Sequence, residues 1–177
     1  MSAQKYLRFS AISLAVFTVL FISHSVNAYN LQGHKFTSHT FHYYDGTLSD
    51  FYDESSDVAM DNWWDTPTQI GFTPTSDVNS ADINITGAYY GNNGTTASTL
   101  IWKQNGIASK AEIRANYSEM DGIEDFKKAA TFTHELGHVF GIDHVSSKSQ
   151  IMYGYLTGRT VYTPQSDDIN GVNFLYP

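Results

Sequence analysis

The order of apolar and polar positions separates a short leading segment from the rest of the chain. Lys5 and Arg8 precede an uncharged, mostly apolar run from Phe9 to Ile22, and a short polar stretch then closes on Val26-Asn27-Ala28. A basic start, an apolar middle and small residues at the end form the layout of a secretory signal peptide, which predicts cleavage after Ala28. The apolar run falls short of the roughly 20 residues that span a bilayer, so a permanent membrane anchor is not expected. No later segment is apolar enough to hold the protein in a membrane after cleavage.

From residue 29 onward the periodicity changes from element to element. Thr40 to Tyr44 is aromatic and β-branched and stops at Asp45-Gly46, a strand followed by a turn. The stretch from about Ser49 to Trp64 predicts a helix, with Ser49 or Ser56 as cap, Val58, Ala59, Trp63 and Trp64 as apolar stripe, and Pro67 blocking continuation. Gln69 to Thr73 and Ala81 to Thr86 predict two more strands, the second with clean period-2 alternation. Gly87 to Ser98 is a Gly, Asn, Thr and Tyr mixture that predicts a loop, and Thr99 to Lys103 and Ala111 to Tyr117 complete five strands. Ile123 to Phe140 predicts a helix whose apolar side is Ala129, Phe132, Leu136 and Phe140. A last helix is expected from Thr163 as N-cap with Pro164 at its first position, through Asp167 and Asp168, to about Leu175.

Length and composition narrow the class. Removing residues 1–28 from the 177 leaves 149, the size of one globular domain with a proper core, so residues 29–177 are expected to form a single domain. Lys5 and Arg8 leave with the leader, and 8 basic residues then face 18 acidic ones. That excess argues against nucleic acid or an anionic membrane as partner and suits a soluble, secreted, extracellular protein. A monomer is expected. Cysteine is absent, so an exported chain of this size relies on its core, a metal, or both, and thiolate chemistry and lipid anchoring at the cleavage site are excluded.

Residues 134 to 144 read His-Glu-Leu-Gly-His-Val-Phe-Gly-Ile-Asp-His, which fills every fixed position of HExxHxxGxxH. His134 and His138 are one helical turn apart, so both imidazoles project from one face, about 6 Å apart along the axis, and can share an ion. At roughly 100° per residue, His134 lies about 200° from Phe132, which predicts that the histidines face away from the core side of the helix. Glu135 sits on the flank of the histidine face, too far round to be a ligand but within reach of a metal-bound water, and is the natural general base. Gly141 stops the helix, because the sharp turn needs positive φ, and the turn brings back His144 as third ligand. Three neutral imidazoles with an open fourth position define a catalytic rather than a structural zinc. Met152, in Ile151-Met152-Tyr153, fits a Met-turn that supports the metal site by packing, not by ligation.

With these motifs in place the chain resembles the matrixins, the matrix-metalloproteinase branch of the metzincins, over nearly all of residues 29–177. The zinc motif and Met-turn carry the resemblance, joined by Ser166-Asp167-Asp168-Ile169-Asn170-Gly171 through Leu175-Tyr176, and more weakly by Trp64 through Phe72 and Ala81-Asp82-Ile83-Asn84-Ile85. The resemblance implies an α+β catalytic domain: a twisted five-stranded mixed sheet, an active-site helix, a cleft beneath the edge strand, a small lower subdomain after Gly141 and a C-terminal helix. It also implies a secreted zinc metalloendopeptidase that cleaves internal peptide bonds of proteins, with Glu135 taking a proton from the zinc-bound water and returning it to the departing amine. An extended peptide is then expected to lie antiparallel to the strand near Thr99 to Lys103. Two other readings stay open: a secreted zinc-binding protein without catalysis, and a zinc hydrolase acting on a non-protein, cell-wall amide.

Several departures from the family pattern shape the expectations. Few residues separate Ala28 from the first strand, so no cysteine-switch zymogen is expected. No histidine stands between His42 and His134, and one zinc per chain is expected where many relatives hold two. His34, His39 and His42 are assigned surface or hydrogen-bonding roles. Asn92, Asn93, Glu119 and Asp121 offer oxygen ligands without a recognisable calcium loop, which leaves calcium open. Gly154 stands where a proline is usual and Leu156 where a tyrosine is usual, so substrate preference does not carry over. Tyr155 is misplaced by one position for an oxyanion donor.

Overall fold

A computed structural model of the chain describes residues 29–177, and the leader segment lies outside them. Five strands form one mixed sheet: β2 (Thr40–Tyr44), β3 (Gly71–Pro74), β4 (Ile83–Ala88), β5 (Ala97–Gln104) and β6 (Ile107–Asn116), in the order β3-β2-β4-β6-β5. All neighbours are parallel except β5, which runs antiparallel to β6 on the outer edge. A second, two-stranded sheet pairs β1 (Asn30–Leu31) with β7 (Ile142–Asp143).

The helices are α1 (Asp50–Trp64), one turn of α2 (Tyr117–Met120), α3 (Asp125–Phe140) and α4 (Ser166–Leu175). Parallel strands need a crossover, and α1 supplies it between β2 and β3. Phe41, Ile83, Ile85, Ala111 and Ile113 turn inward from the sheet and meet Ala59 and Trp63 of α1 and Phe132, Leu136 and Phe140 of α3. Phe140 is the hub, with its ring 5.4 Å from Phe41 and 5.1 Å, edge-on, from Trp63. The Trp63 indole N–H donates to Thr133 O at 2.9 Å, so the buried indole leaves no polar atom unpaired.

The α+β class, the five-stranded mixed sheet, the active-site helix and the C-terminal helix match the expectation, while details shift for identifiable reasons. On α1 the buried positions are Tyr52, Ser55, Ser56, Ala59, Met60 and Trp63, whereas Val58 and Trp64 of the predicted stripe are exposed. Two small serines, Ser55 and Ser56, are buried there, and a count of apolar residues passes over them. Ser49 occupies the cap position but caps through its backbone carbonyl, not its hydroxyl.

Strands β5 and β6 extend toward each other until they meet in a two-residue turn at Asn105-Gly106, both at positive φ, the sequence that a tight hairpin favours. Helix α3 begins at Asp125, two residues later than expected, because Gly122 at φ 86° turns the chain and Ile123 N–H is spent on Met120 O. Helix α4 is capped by Gln165, not Thr163. The Asp168 carboxylate accepts the Gln165 N–H at 2.8 Å, and the Gln165 side chain answers in a capping box, which fixes the start there.

Candidate active site

Helix α3 carries His134, Glu135 and His138, and the whole stretch Lys128–Phe140 is buried. The histidines do lie off the core side, yet their face is not wet: the chain after Gly141 folds back and covers it. Gly141, at φ 103°, ends the helix. A Cβ there would also run into the carbonyl oxygen of His34, so both the turn and the close approach of the N-terminal segment require glycine.

The returning chain presents His144. Its Nε2 lies 3.0 Å from Nε2 of His134 and 3.0 Å from Nε2 of His138. One ligand atom from each histidine falls within 4.8 Å of the others, the one such group of three or more histidines or acids among the described residues. The opposite ring nitrogens of the two helical histidines meet backbone carbonyls, His134 Nδ1 to Ile151 O at 2.8 Å and His138 Nδ1 to Ile142 O at 3.0 Å. Both rings therefore carry hydrogen on Nδ1 and turn a bare Nε2 inward. Burial holds His134 well below the ordinary imidazole range and pushes His138 down to about 4, with neighbouring positive groups acting in the same direction. Converging neutral nitrogens repel one another unless a cation joins them, and this donor set fits a zinc ion.

Beneath the site lies Met152, 1% exposed. Its sulfur packs on Gly137 so closely that any Cβ there would overlap it. The turn around Met152 is held from α4: the buried Asp168 carboxylate accepts Ile151 N–H at 2.8 Å and Met152 N–H at 3.2 Å, besides the Gln165 cap. Gly154 lies under the His144 ring, where an added Cβ would stand 3.1 Å from Nδ1. That packing gives a reason for glycine at this position.

Glu135 opens onto a cleft of about 700 Å³ that borders Gly94 to Thr99, Gln32, Tyr155, Leu156 and Arg159. Its Oε2 accepts a 2.6 Å hydrogen bond from Thr99 Oγ1. Burial pushes the Glu135 carboxyl up to about 7, against the Thr99 hydrogen bond and the Arg159 charge, which both favour the ionised form. A carboxyl in that range exchanges protons at neutral pH. Only the first residues of β5 border the cleft; Ile101 to Gln104 line a separate surface hollow with Ile107, beyond a register shift at Trp102 and Lys103.

The sequence reading gave no role to four side chains that complete the site. Arg159 is buried, donates to Tyr153 O at 2.9 Å and Ala130 O at 3.3 Å, and brings its guanidinium within 3.2 Å of His134 Nδ1. Gln32 places its side-chain amide 2.8 Å from His138 Nδ1, where a ring hydrogen on Nδ1 requires the amide to turn its oxygen toward the ring, and Asn30 donates to His144 O at 2.7 Å. The N-terminal segment thus braces the turn that carries His144, a contact between residues more than a hundred positions apart that no local spacing announces. Thr99 is the fourth. His34 is a hydrogen-bonding residue, its Nε2 3.1 Å from His138 O, whereas His39 and His42 are exposed.

Three of the four oxygen donors considered for calcium are engaged within the protein. Asn93 Oδ1 accepts from Thr95 N–H at 2.9 Å and Glu119 Oε1 from Gly94 N–H at 2.7 Å, while an Asp121 oxygen takes the Tyr52 hydroxyl. Tyr155 is exposed and borders the cleft beside Leu156.

The profile of the matrixin family matches residues 42–177, and the chain belongs to that family. A protein of Spodoptera frugiperda ascovirus 1a, provisionally named a matrix metalloproteinase, is 46% identical over 50 residues. That match covers 26% of this chain and 13% of the viral protein. Matrixins are zinc metalloproteases with protein substrates and are often extracellular. No helix among the described residues is long and apolar enough to cross a membrane.

Proposed function

We propose that residues 29–177 form one exported, monomeric zinc endopeptidase domain released from the leader 1–28, with His134, His138 and His144 as metal ligands and Glu135 as general base. The observation that carries this reading is the convergence of three histidine Nε2 atoms beside a carboxylate that opens onto the cleft. Gly141 and Met152 support the ligands from the turn and from below.

Held by His134, His138 and His144, a zinc ion would supply Lewis acidity toward a water and a carbonyl. The remaining work falls to the chain. Glu135 removes a proton from the attacking water and delivers it to the departing amine, so one carboxylate serves as base and then acid. The free edge of β5 near Ala97 to Thr99 offers main-chain groups to an extended peptide, which is laid across the cleft with its scissile carbonyl toward the histidines. His134 and His138 are held by the carbonyls of Ile151 and Ile142 and need no rearrangement during turnover.

Cleavage of gelatin or casein is the test, run with and without a zinc chelator and beside Glu135→Gln. Cleavage that the chelator abolishes, and that falls by about three orders of magnitude or more in a variant retaining its zinc, is the expected result. A folded, zinc-loaded protein that cleaves no protein substrate would overturn the reading.

A further inference from the structure

Glu135 meets the cleft with one of its two carboxylate oxygens already taken. Oε2 accepts the Thr99 hydroxyl at 2.6 Å. Among the described residues no hydrogen bond reaches Oε1, and Oε1 is not one of the buried polar atoms without a partner, so it keeps its contact with the cleft. The two oxygens of an isolated glutamate are equivalent, and its terminal torsion is broad and twofold. A single fixed donor breaks that equivalence.

Thr99 is well placed to act as that donor. Threonine is stiff at χ1, and Thr99 is locked into β5 opposite Ile113 of β6. Its one hydroxyl hydrogen has two acceptors in range, the Glu135 carboxylate at 2.6 Å and the Glu135 main-chain oxygen at 3.2 Å. The shorter, charge-assisted bond wins. Thr99 also belongs to the short part of β5 that borders the cleft.

We propose that Thr99 is a positioning residue that pins Oε2 of Glu135 and presents Oε1 to the attacking water. The edge strand that receives the peptide and the donor that orients the base are thereby one rigid piece. The inference rests on the reading of Glu135 as general base.

Thr99→Val keeps the β-branched shape and removes only the donor, and Thr99→Ser keeps the donor with a smaller side chain. In the zinc-loaded protein, Thr99→Val is expected to lower kcat about tenfold or more, the loss expected for one charge-assisted hydrogen bond, with KM within about twofold. Thr99→Ser restores most of kcat, and zinc content and Tm stay at wild-type values in both variants. Independently of turnover, the infrared carboxylate band of Glu135, identified by difference against Glu135→Gln, moves in Thr99→Val and returns in Thr99→Ser.

A wild-type kcat in Thr99→Val, an unmoved band, or a loss of kcat that follows a loss of zinc and is not rescued by serine would each overturn the proposal. A band that moves as described in a protein without peptidase activity retains the contact and removes the role of Glu135 instead. Active wild-type protein with an unmoved band removes Thr99 alone.

Discussion

The platform of sheet and helices up to Phe140 and the segment after Gly141 are built by different means. The platform closes over large apolar side chains, Phe41, Trp63, Ile83, Ile85, Ile113, Phe132 and Phe140, each almost fully withdrawn from water. The later segment contributes Ile142, Ile151, Met152, Val172 and Tyr176 to the same core. Between β7 and α4, however, it has no regular element, and its path is set by individual polar anchors. Asp168 holds the turn at Met152, Arg159 ties Tyr153 to Ala130, and Thr160 N–H reaches Lys148 O. Many interchangeable contacts support the helix that carries two of the candidate ligands, while a few polar bonds shape the covering segment, including Ile151 O, which orients His134. Stability and metal affinity should therefore respond to different substitutions.

The largest effect on stability is expected in the platform. Phe41→Ala or Trp63→Ala should cost about 3–5 kcal/mol in urea unfolding, since each removes a fully buried aromatic side chain and leaves a cavity. The molecules that stay folded should bind zinc with nearly unchanged affinity. A matching loss of zinc affinity would show that the two regions are not separable.

Asp168→Ala reverses the pattern. Three backbone N–H groups, of Ile151, Met152 and Gln165, lose one shared acceptor, at a cost of about 2–4 kcal/mol when buried donors go unpaired. Because Ile151 O orients His134, zinc affinity should fall about 10- to 100-fold as well, the usual penalty for disturbing a partner of a ligand. Competition titration against a chelator measures it, and an unchanged affinity would show that the turn holds its shape without Asp168.

Acid should act on the site that this segment covers. His138 is lowered from 6.5 to about 4 by burial, so the folded protein favours the neutral ring. A lowered folded pKa gives stability that is fully present above the unfolded value and is lost as pH falls. His138 should therefore withdraw about 2–3 kcal/mol from the metal-free protein between pH 6.5 and about 4, read as the difference between the wild-type and His138→Gln profiles, because Glu135, raised to about 7, gains stability over the same range. Hydrogen exchange in that range should open residues 142–160 before β2, β4 and β6. Uniform opening of both regions would abolish the contrast between them.

The same contrast decides what could be read from the sequence. The platform was legible because periodicity reports burial against a sheet: β2 was bounded correctly, and His134, Glu135 and His138 came together because their spacing is a helical turn. Motif knowledge supplied His144, Gly141 and Met152, and the structure brings all of them to one place. What escaped depends on distant partners. Nothing near Arg159 marks it as a buried cation, and Gln32 acquires meaning only when β1 pairs with β7. The predicted stripe on α1 failed at Val58 because the buried face of α1 takes small residues, Ser55 and Ser56, as well as apolar ones. The start of α4 moved because Asp168 serves a cap and a distant turn at once.

The smallest expected effect probes the finest fit. Gly154 has ordinary backbone angles, so an alanine there meets no conformational penalty, and its cost is the contact of the new Cβ with the His144 ring, 3.1 Å from Nδ1. His144 is the exposed member of the three and follows the two-residue strand β7 outside any regular element, free to give way by a few tenths of an ångström. The metal-free stability of Gly154→Ala should therefore stay within about 0.5 kcal/mol of wild type. The displaced ring should nevertheless weaken zinc binding several-fold, since a ligand must keep its bond length and direction within narrow limits. A titration that finds the affinity unchanged would mean that His144 rides freely on its turn and that ligand placement relies on the two helical histidines. A several-fold loss with stability intact would locate, in one methyl group, the separation between what folds this chain and what holds its metal.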